Sequence, residues 1–414
     1  MSAEIVLLFL LAIPVFGFVI SVLLEWLNTT GWADELPAEV TGIYSAEKYQ
    51  LAKKYETEKF RFGIITSSIS VLLLLVILYL GGFGILHQAI SQYTENQIIQ
   101  ALVFFGIIGL AADITSTPFS YYATFVIEEK YGFNKSTPRI FFTDKLKGYL
   151  VAAIIGTILM SAIIFIYSKT QQDFWWIAWI VVSGFSVFLS MFWSQLIVPL
   201  FNKQKPLEEG PLRDAIFNYA SENGFPLTNI FVIDGSKRSS KANAYFTGLG
   251  RKKRIVLYDT LINDHSIGEI VAILAHEVGH WKKKHTSITM ILSMAQSGAM
   301  LFLLSLIIDN QMIANAVGAD VPSFHVNVLV FGILYGPLSS ILGIGMNVFS
   351  RKCEYQADCW AVTTYQGELL GSALTKLSVN HLNNLQPHPL YVFFHYSHPP
   401  LLQRLRAIGK SAAD

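Results

Sequence analysis

Leu274-Ala275-His276-Glu277-Val278-Gly279-His280-Trp281 closes one apolar run, Ile270-Val271-Ala272-Ile273-Leu274, and leads into a basic one, Lys282-Lys283-Lys284-His285. The apolar run has the character of a buried helix. Residues four apart on a helix are offset by only about 40°, so His276 and His280 project from one face, one turn apart. That separation suits two imidazoles gripping one zinc ion, and Glu277 beside them is free to polarise a water there. H-E-x-x-H has only three fixed letters and chance also produces it, so the surrounding chain has to decide.

Outward from this stretch the chain is largely apolar. Of its 414 residues 52% are hydrophobic and 14% charged, where a soluble protein carries about 25% charged residues. The surplus falls in seven runs near the ~20 residues that cross a bilayer: Ile5 to Leu24, Phe62 to Leu86, Ile98 to Ile127, Tyr149 to Tyr167, Phe174 to Leu200, Ile288 to Ile308 and Val326 to Phe349. Of 30 lysines and arginines, five lie between Trp26 and Arg61, five between Glu128 and Lys147, thirteen between Asn202 and Thr286 and six from Ser350 onward. Two spans separate each of these segments from the next, so all four share one face. The positive-inside rule makes that face cytoplasmic, with the N-terminus outside and the C-terminus inside. The first span lacks a basic leader and a small-residue cleavage site, and reads as a retained anchor. Cys353 and Cys359 fall on the cytoplasmic side and imply no disulfide. A net charge of +1 offers nothing to nucleic acid.

Between the first two spans, Ala46 to Lys59 has mixed charges at helical spacing and reads as a solvated helix face. Span three holds Asp113 near its middle, followed by Thr115, Ser116, Thr117 and Ser120. An acid at that depth must face protein or water, and Gln195, Gln296 and Asn347 in other spans favour a polar cavity over one isolated hydrogen bond. The segment from Asn202 to Thr286 changes character. Leu212 to Asn223 predicts a short amphipathic helix, and Asn229 to Ile233, Ala242 to Gly248 and Arg254 to Tyr258 predict three strands. An exposed sheet edge could hold an extended peptide through backbone hydrogen bonds; Asn243 and Ala244, on the middle strand, are the candidates. The helix of His276 and His280 is expected to continue through the lysines into span six. On that continuous helix His285 lies about 140° off the face of His280, which puts it at the surface.

A catalytic zinc takes three protein ligands and one open position. After span seven, Glu354 and Asp358 are one helical turn apart. One acid can ligate while the other orients a ligating histidine through its second ring nitrogen. Asp358, Cys353 and the tail histidines are rival third ligands. Farther on, His398 and Arg404 could donate to the oxyanion of a tetrahedral intermediate.

Taken with Phe125 to Lys135, Pro199 to Lys203, Lys241 to Gly248, Ile255 to Leu261, Arg351 to Asp358 and Ser397 to Leu405, the chain resembles the Ste24-type CaaX prenyl proteases, the integral-membrane branch of the M48 zinc metallopeptidases. The resemblance implies a mainly α fold: seven transmembrane helices enclosing a water-filled chamber, with a small cytoplasmic β-sheet beside the zinc helix. It implies one Zn2+ per chain held by His276, His280 and Glu354, with Glu277 as catalytic base and Asp358 behind the ligands. His398 and Arg404 then stabilise the transition state, and Asn243 and Ala244 align substrate. The chain divides accordingly into 1–201 with spans one to five, 202–285 with the sheet and H-E-x-x-H helix, 286–350 with spans six and seven, and a tail from 351 to 414. The expected partners are the bilayer and a peptide or protein substrate. The tail has no evident retrieval signal, which favours a bacterial inner membrane over the endoplasmic reticulum and leaves open whether the substrate is prenylated. The alternatives are a quality-control zinc protease with broad unprenylated substrates and a non-enzymatic seven-span receptor or transporter.

Overall fold

The computed structural model describes residues 2–38, 41–247 and 253–411; Gly248, the expected end of the middle strand, and the last three residues lie outside them. Among the described residues, seven helices are long and apolar enough to cross a membrane: Ala3–Thr30, Ala46–Tyr79, Gln97–Glu128, Pro138–Thr170, Phe174–Phe201, His285–Ser305 and Phe324–Thr364. They correspond to the seven expected spans, most of them extended by polar turns; the second, expected to reach Leu86, ends at Tyr79, where a left-handed Gly81 (φ 64°) turns the chain into the separate helix Gly82–Ser91. The seventh extends farthest: its 41 residues run on through Glu354 and Asp358.

The second span begins at Ala46, so the expected solvated face of Ala46 to Lys59 is one side of its polar first turns, with Glu47, Lys48, Lys54 and Lys59 exposed. Tyr49, Ala52 and Tyr55 recur every third residue on one face and are buried against Trp32, Phe133 and Leu385. Only the opposite face stays charged, as where Lys53 meets Asp34 at 2.9 Å.

Packing is concentrated at the two ends of the spans. At one end the short helices Gly82–Ser91 and Gln311–Ala316 plug the bundle, with Phe83, Phe104, Ile313 and Val330 in a common core. Gly84 passes so close to Gly318 that a Cβ on it would lie 2.1 Å from the Gly318 carbonyl oxygen. At the other end sit the sheet and the tail helices. Between them, residues 11–23, 56–77, 105–126 and 332–352 contain no buried side chain. In these four spans the middle turns are only partly covered by their neighbours, whereas spans five and six meet there, the Trp179 indole donating to the Met294 carbonyl at 2.7 Å. Asp113 lies in the middle turns of span three, paired with Lys145 at 2.8 Å and hydrogen-bonded by Tyr149. Its charge is neutralised by that pair.

The sheet has four strands in the order β1-β2-β4-β3: β1 Gln204–Pro206, β2 Leu227–Ile233, β3 Ala244–Thr247 and β4 Lys253–Tyr258. The three expected strands are present, and β1 is additional. β2 and β4 pair in parallel at the centre, as their buried Ile230, Ile233, Ile255, Val256 and Leu257 require. β3, the middle strand in sequence, is therefore an edge strand in space, and Asn243 directly precedes it. The helix Pro211–Glu222 lies over the sheet, and the helices Ile267–Lys282 and Gly367–Asn380 complete one core with it.

Candidate metal centre

The Ile267–Lys282 helix starts on a capping box: the Ser266 side chain accepts from the Glu269 amide and the Glu269 carboxylate accepts from the Ser266 amide. Glu269 is buried and also takes hydrogen bonds from Ser372 and Lys376, both at 2.7 Å, which pins the helix start to the Gly367–Asn380 helix. Burial alone would raise its carboxyl; the Lys376, Ser372 and Ser266 hydrogen bonds outweigh that and hold it down at about 2. Farther along, Gly279 crosses the Phe324–Thr364 helix at Ala357. That close approach brings Glu354 to the two histidines.

The helix does not run on into span six. It ends at Lys282, Lys284 takes a left-handed φ of 58°, and a new helix begins at His285. His285 consequently turns inward and is buried. The expectation that it lies at the surface fails because it assumed an unbroken helix.

His276 Nε2 lies 3.1 Å from His280 Nε2 and 3.4 Å from Glu354 Oε2, and His280 Nε2 lies 3.3 Å from Glu354 Oε1. Two ligand atoms placed tetrahedrally around zinc at about 2.0–2.1 Å are roughly 3.3 Å apart, so these residues fit the ion. Glu354 Oε2 is a buried acceptor with no hydrogen-bond partner, as suits an oxygen reserved for a cation. Among the described residues these three form the one group of three or more His, Cys, Asp or Glu residues spaced to hold a metal.

Each histidine has a partner on its other nitrogen. His276 Nδ1 meets Asp358 Oδ1 at 2.8 Å, and Arg404 donates to both Asp358 oxygens, at 2.8 Å from Nε and 2.6 Å from Nη2. Burial opposes a proton on His276, but Asp358 and Glu354 outweigh it and raise its pKa to about 9 in the absence of metal. His280 Nδ1 meets His285 Nδ1 at 3.1 Å, and His285 Nε2 meets Gln356 Oε1 at 2.9 Å.

Two cavities border Glu277. One, of about 250 Å³, is lined by Asn243, Ala244, Ile273, Leu374, His398 and Arg404. The other, of about 460 Å³, is lined by Phe225, Phe246, Thr247, His280, Trp281 and Lys284. The outer edge of β3 runs from the first to the second, with the Ala244 amide at its start donating to Asn243 Oδ1 at 2.8 Å. At its start the Ala242 amide donates to His381 Nε2 at 3.1 Å. Burial, reinforced by Lys241 and His265, holds His381 down at about 4, so it is neutral and free to accept.

The structure thus gathers His276, Glu277, His280, Glu354, Asp358, His398 and Arg404 around one point, with Asn243 and Ala244 beside it. His398 is mostly exposed, 3.3 Å from Glu354 Oε1; Arg404 is buried, with Nη1 3.5 Å from Glu354 Oε2. Cys353 is buried and belongs to no metal-spaced group. His285, Gln356 and His381 are functional candidates that the sequence reading missed. Nothing in the lysine run marks the helix break at Lys284 that turns His285 inward, and His381 carries no local signal.

Seven membrane-crossing helices with an H-E-x-x-H helix meeting a later glutamate define an integral-membrane metallopeptidase. Comparison with known proteins agrees. Residues 25–203 match the model of the CAAX prenyl protease N-terminal five-helix region, and residues 206–412 that of peptidase family M48. The chain belongs to peptidase family M48, in its CaaX prenyl protease branch. It is 37% identical to the CAAX prenyl protease 1 homolog of Arabidopsis thaliana, over 90% of both chains. It is 34% identical to CAAX prenyl protease 1 of Saccharomyces cerevisiae, over 90% of this chain and 88% of that one. The crystal structure of S. mikatae Ste24p superposes with a TM-score of 0.91 at 32% identity, covering 97% of this chain and 98% of that one. The non-enzymatic receptor or transporter alternative is thereby excluded.

Proposed function

We propose that the chain holds one Zn2+ between His276, His280 and Glu354 and hydrolyses peptide bonds near the C-terminus of proteins or peptides that end in a prenylated CaaX motif. When bound, the ion lowers the pKa of a water towards about 7 and polarises a carbonyl. Glu277 takes the proton from the attacking water and passes it to the leaving amine. Asp358 keeps the His276 proton on Nδ1, so that Nε2 stays free. His398 and the Nη1 end of Arg404, the end not spent on Asp358, donate to the developing oxyanion. Asn243 and Ala244 align the substrate at the start of β3: the Asn243 carbonyl is held by the Tyr258 amide at 3.1 Å, and the Ala244 amide, which rests on Asn243 Oδ1 at 2.8 Å, turns to the substrate backbone.

The observation that carries this reading is the position of Glu277, between two cavities joined by the outer edge of β3. An extended peptide laid on that edge presents its backbone to the base, with side chains on either side. We place the site on the cytoplasmic face, where the positive-inside rule puts the basic segments. Within this reading residues 1–201 and 286–350 build the chamber, and 202–285 and 351–414 carry the chemistry. The helix break at Lys284 supports the boundary at 285.

A backbone edge makes no demand on sequence, which favours a second reading: proteolysis of a broad set of unprenylated chains. Matched farnesylated and unmodified peptides, with mass spectrometry of the products, separate the two. Faster cleavage of the farnesylated peptide is expected, and equal cleavage points to the broader role. Glu277→Gln should lower turnover by about 10²–10⁴-fold with zinc content unchanged; full activity in that variant ends the proposal.

A further inference from the structure

We propose that His285 and Gln356 are positioning residues that fix the ring proton of His280 on Nδ1, leaving Nε2 as a metal ligand. The inference rests on the metal site described above. A neutral imidazole carries one N–H and offers one lone pair. Both nitrogens of the buried His285 are engaged: Nδ1 with His280 Nδ1 at 3.1 Å and Nε2 with Gln356 Oε1 at 2.9 Å. With neutral rings the chain of contacts has two consistent proton arrangements.

In the first, His280 Nδ1–H donates to His285 Nδ1, and His285 Nε2–H donates to the Gln356 carbonyl oxygen. His280 Nε2 then keeps its lone pair, turned towards His276 and Glu354. In the second, the Gln356 amide is turned over and its NH2 donates to His285 Nε2. His285 then donates from Nδ1, and His280 must carry its proton on Nε2, where it blocks ligation. A metal at this site therefore requires Gln356 to act as an acceptor. The Gln356 side chain is exposed and its Oε1 already faces His285 Nε2 at 2.9 Å, the geometry of the first arrangement.

The backbone provides for this relay. The first helix ends at Lys282, two residues beyond His280, and the left-handed turn at Lys284 starts the next at His285. The two rings meet edge to face, with centroids 5.0 Å apart and planes at 77°. Gln356 sits on the same helix as Glu354 and Asp358, so a single element supplies the third ligand and the last partner of both histidines. The two supports differ in charge. His276 is backed by a carboxylate that Arg404 holds, His280 by a neutral ring and an amide.

The test is zinc affinity of the full-length protein, stripped of metal and titrated with zinc against a chromophoric chelator at low and high ionic strength. Gln356→Glu, acceptor only, is expected to bind zinc at least as tightly as wild type. Gln356→Lys, donor only, is expected to weaken binding about 10–100-fold, the usual effect of losing a ligand's outer partner, and to do so at both salt concentrations. His285→Leu should weaken it comparably. Gln356 is exposed, so its variants read the hydrogen bond rather than the fold. Equal affinity of Gln356→Glu and Gln356→Lys at high salt overturns the relay. Zinc that fails to bind wild type, or that binds undiminished in His280→Ala, overturns the metal site itself.

Discussion

Gly279 and Ala357 touch where the metal helix crosses the seventh span: a Cβ built on Gly279 would lie 3.0 Å from Ala357 Cα and 3.1 Å from its carbonyl oxygen. Both obstacles are backbone and cannot rotate away. A larger residue at 279 must part the helices and draw Glu354 away from His276 and His280. Overpacking of this kind costs about 1–3 kcal/mol. Gly279→Val is expected to weaken zinc binding more than Gly279→Ala does, and both more than tenfold. Wild-type affinity in the valine variant would mean that the crossing does not set the ligand triangle.

Zinc binding should displace a proton. His276 in the metal-free protein is raised to about 9, so below that pH it is protonated and must lose the proton to become a ligand. Affinity therefore falls as pH drops from about 9. Calorimetry at pH 7 in buffers of different ionisation enthalpy should report at least about one proton released per zinc. Release of none would refute the protonated state.

Glu269 should make stability depend on pH. Its carboxyl is held at about 2 against an ordinary value of 4.5. A depressed carboxyl stabilises the fold fully above 4.5, and that contribution is lost as pH falls from 4.5 through about 2. The shift corresponds to about 3 kcal/mol, reduced to about 2 because Lys376 is half exposed and screened. Glu269→Gln should melt several degrees below wild type at pH 7, and the gap should close on acidification. A gap of constant size from pH 7 to 3 would show that the ion pair is not its source.

His381 should control how firmly the start of the substrate edge is held. Removing the acceptor leaves the Ala242 amide buried and unpaired, at a cost of about 1–3 kcal/mol. His381→Leu is expected to raise KM for peptide more than it lowers kcat, and His381→Asn to recover much of the loss through its amide oxygen. No difference between leucine and asparagine would remove the hydrogen bond from the account.

The readable parts of this molecule were those with a period. The spans, the i,i+4 histidines and the Glu354–Asp358 turn follow from helical repeat, and the two-span spacing of lysines and arginines fixed which loops lie together. What escaped depended on tertiary choices. Lysine at 284 gives no sign of a left-handed turn, so His285 was rotated to the wrong face. β3 became an edge because β2 and β4 are the more apolar pair, a comparison between strands rather than a property of either. β1 spans only three residues, too few to alternate. His381 meets Ala242 across 139 residues of chain, and nothing local announces it.

The two packed ends and the partly covered middle have a mechanical consequence. A cask hooped only at its rims is stiff there and compliant at the waist. Lateral pressure from the bilayer therefore meets the least internal contact at the middle turns of spans one, two, three and seven.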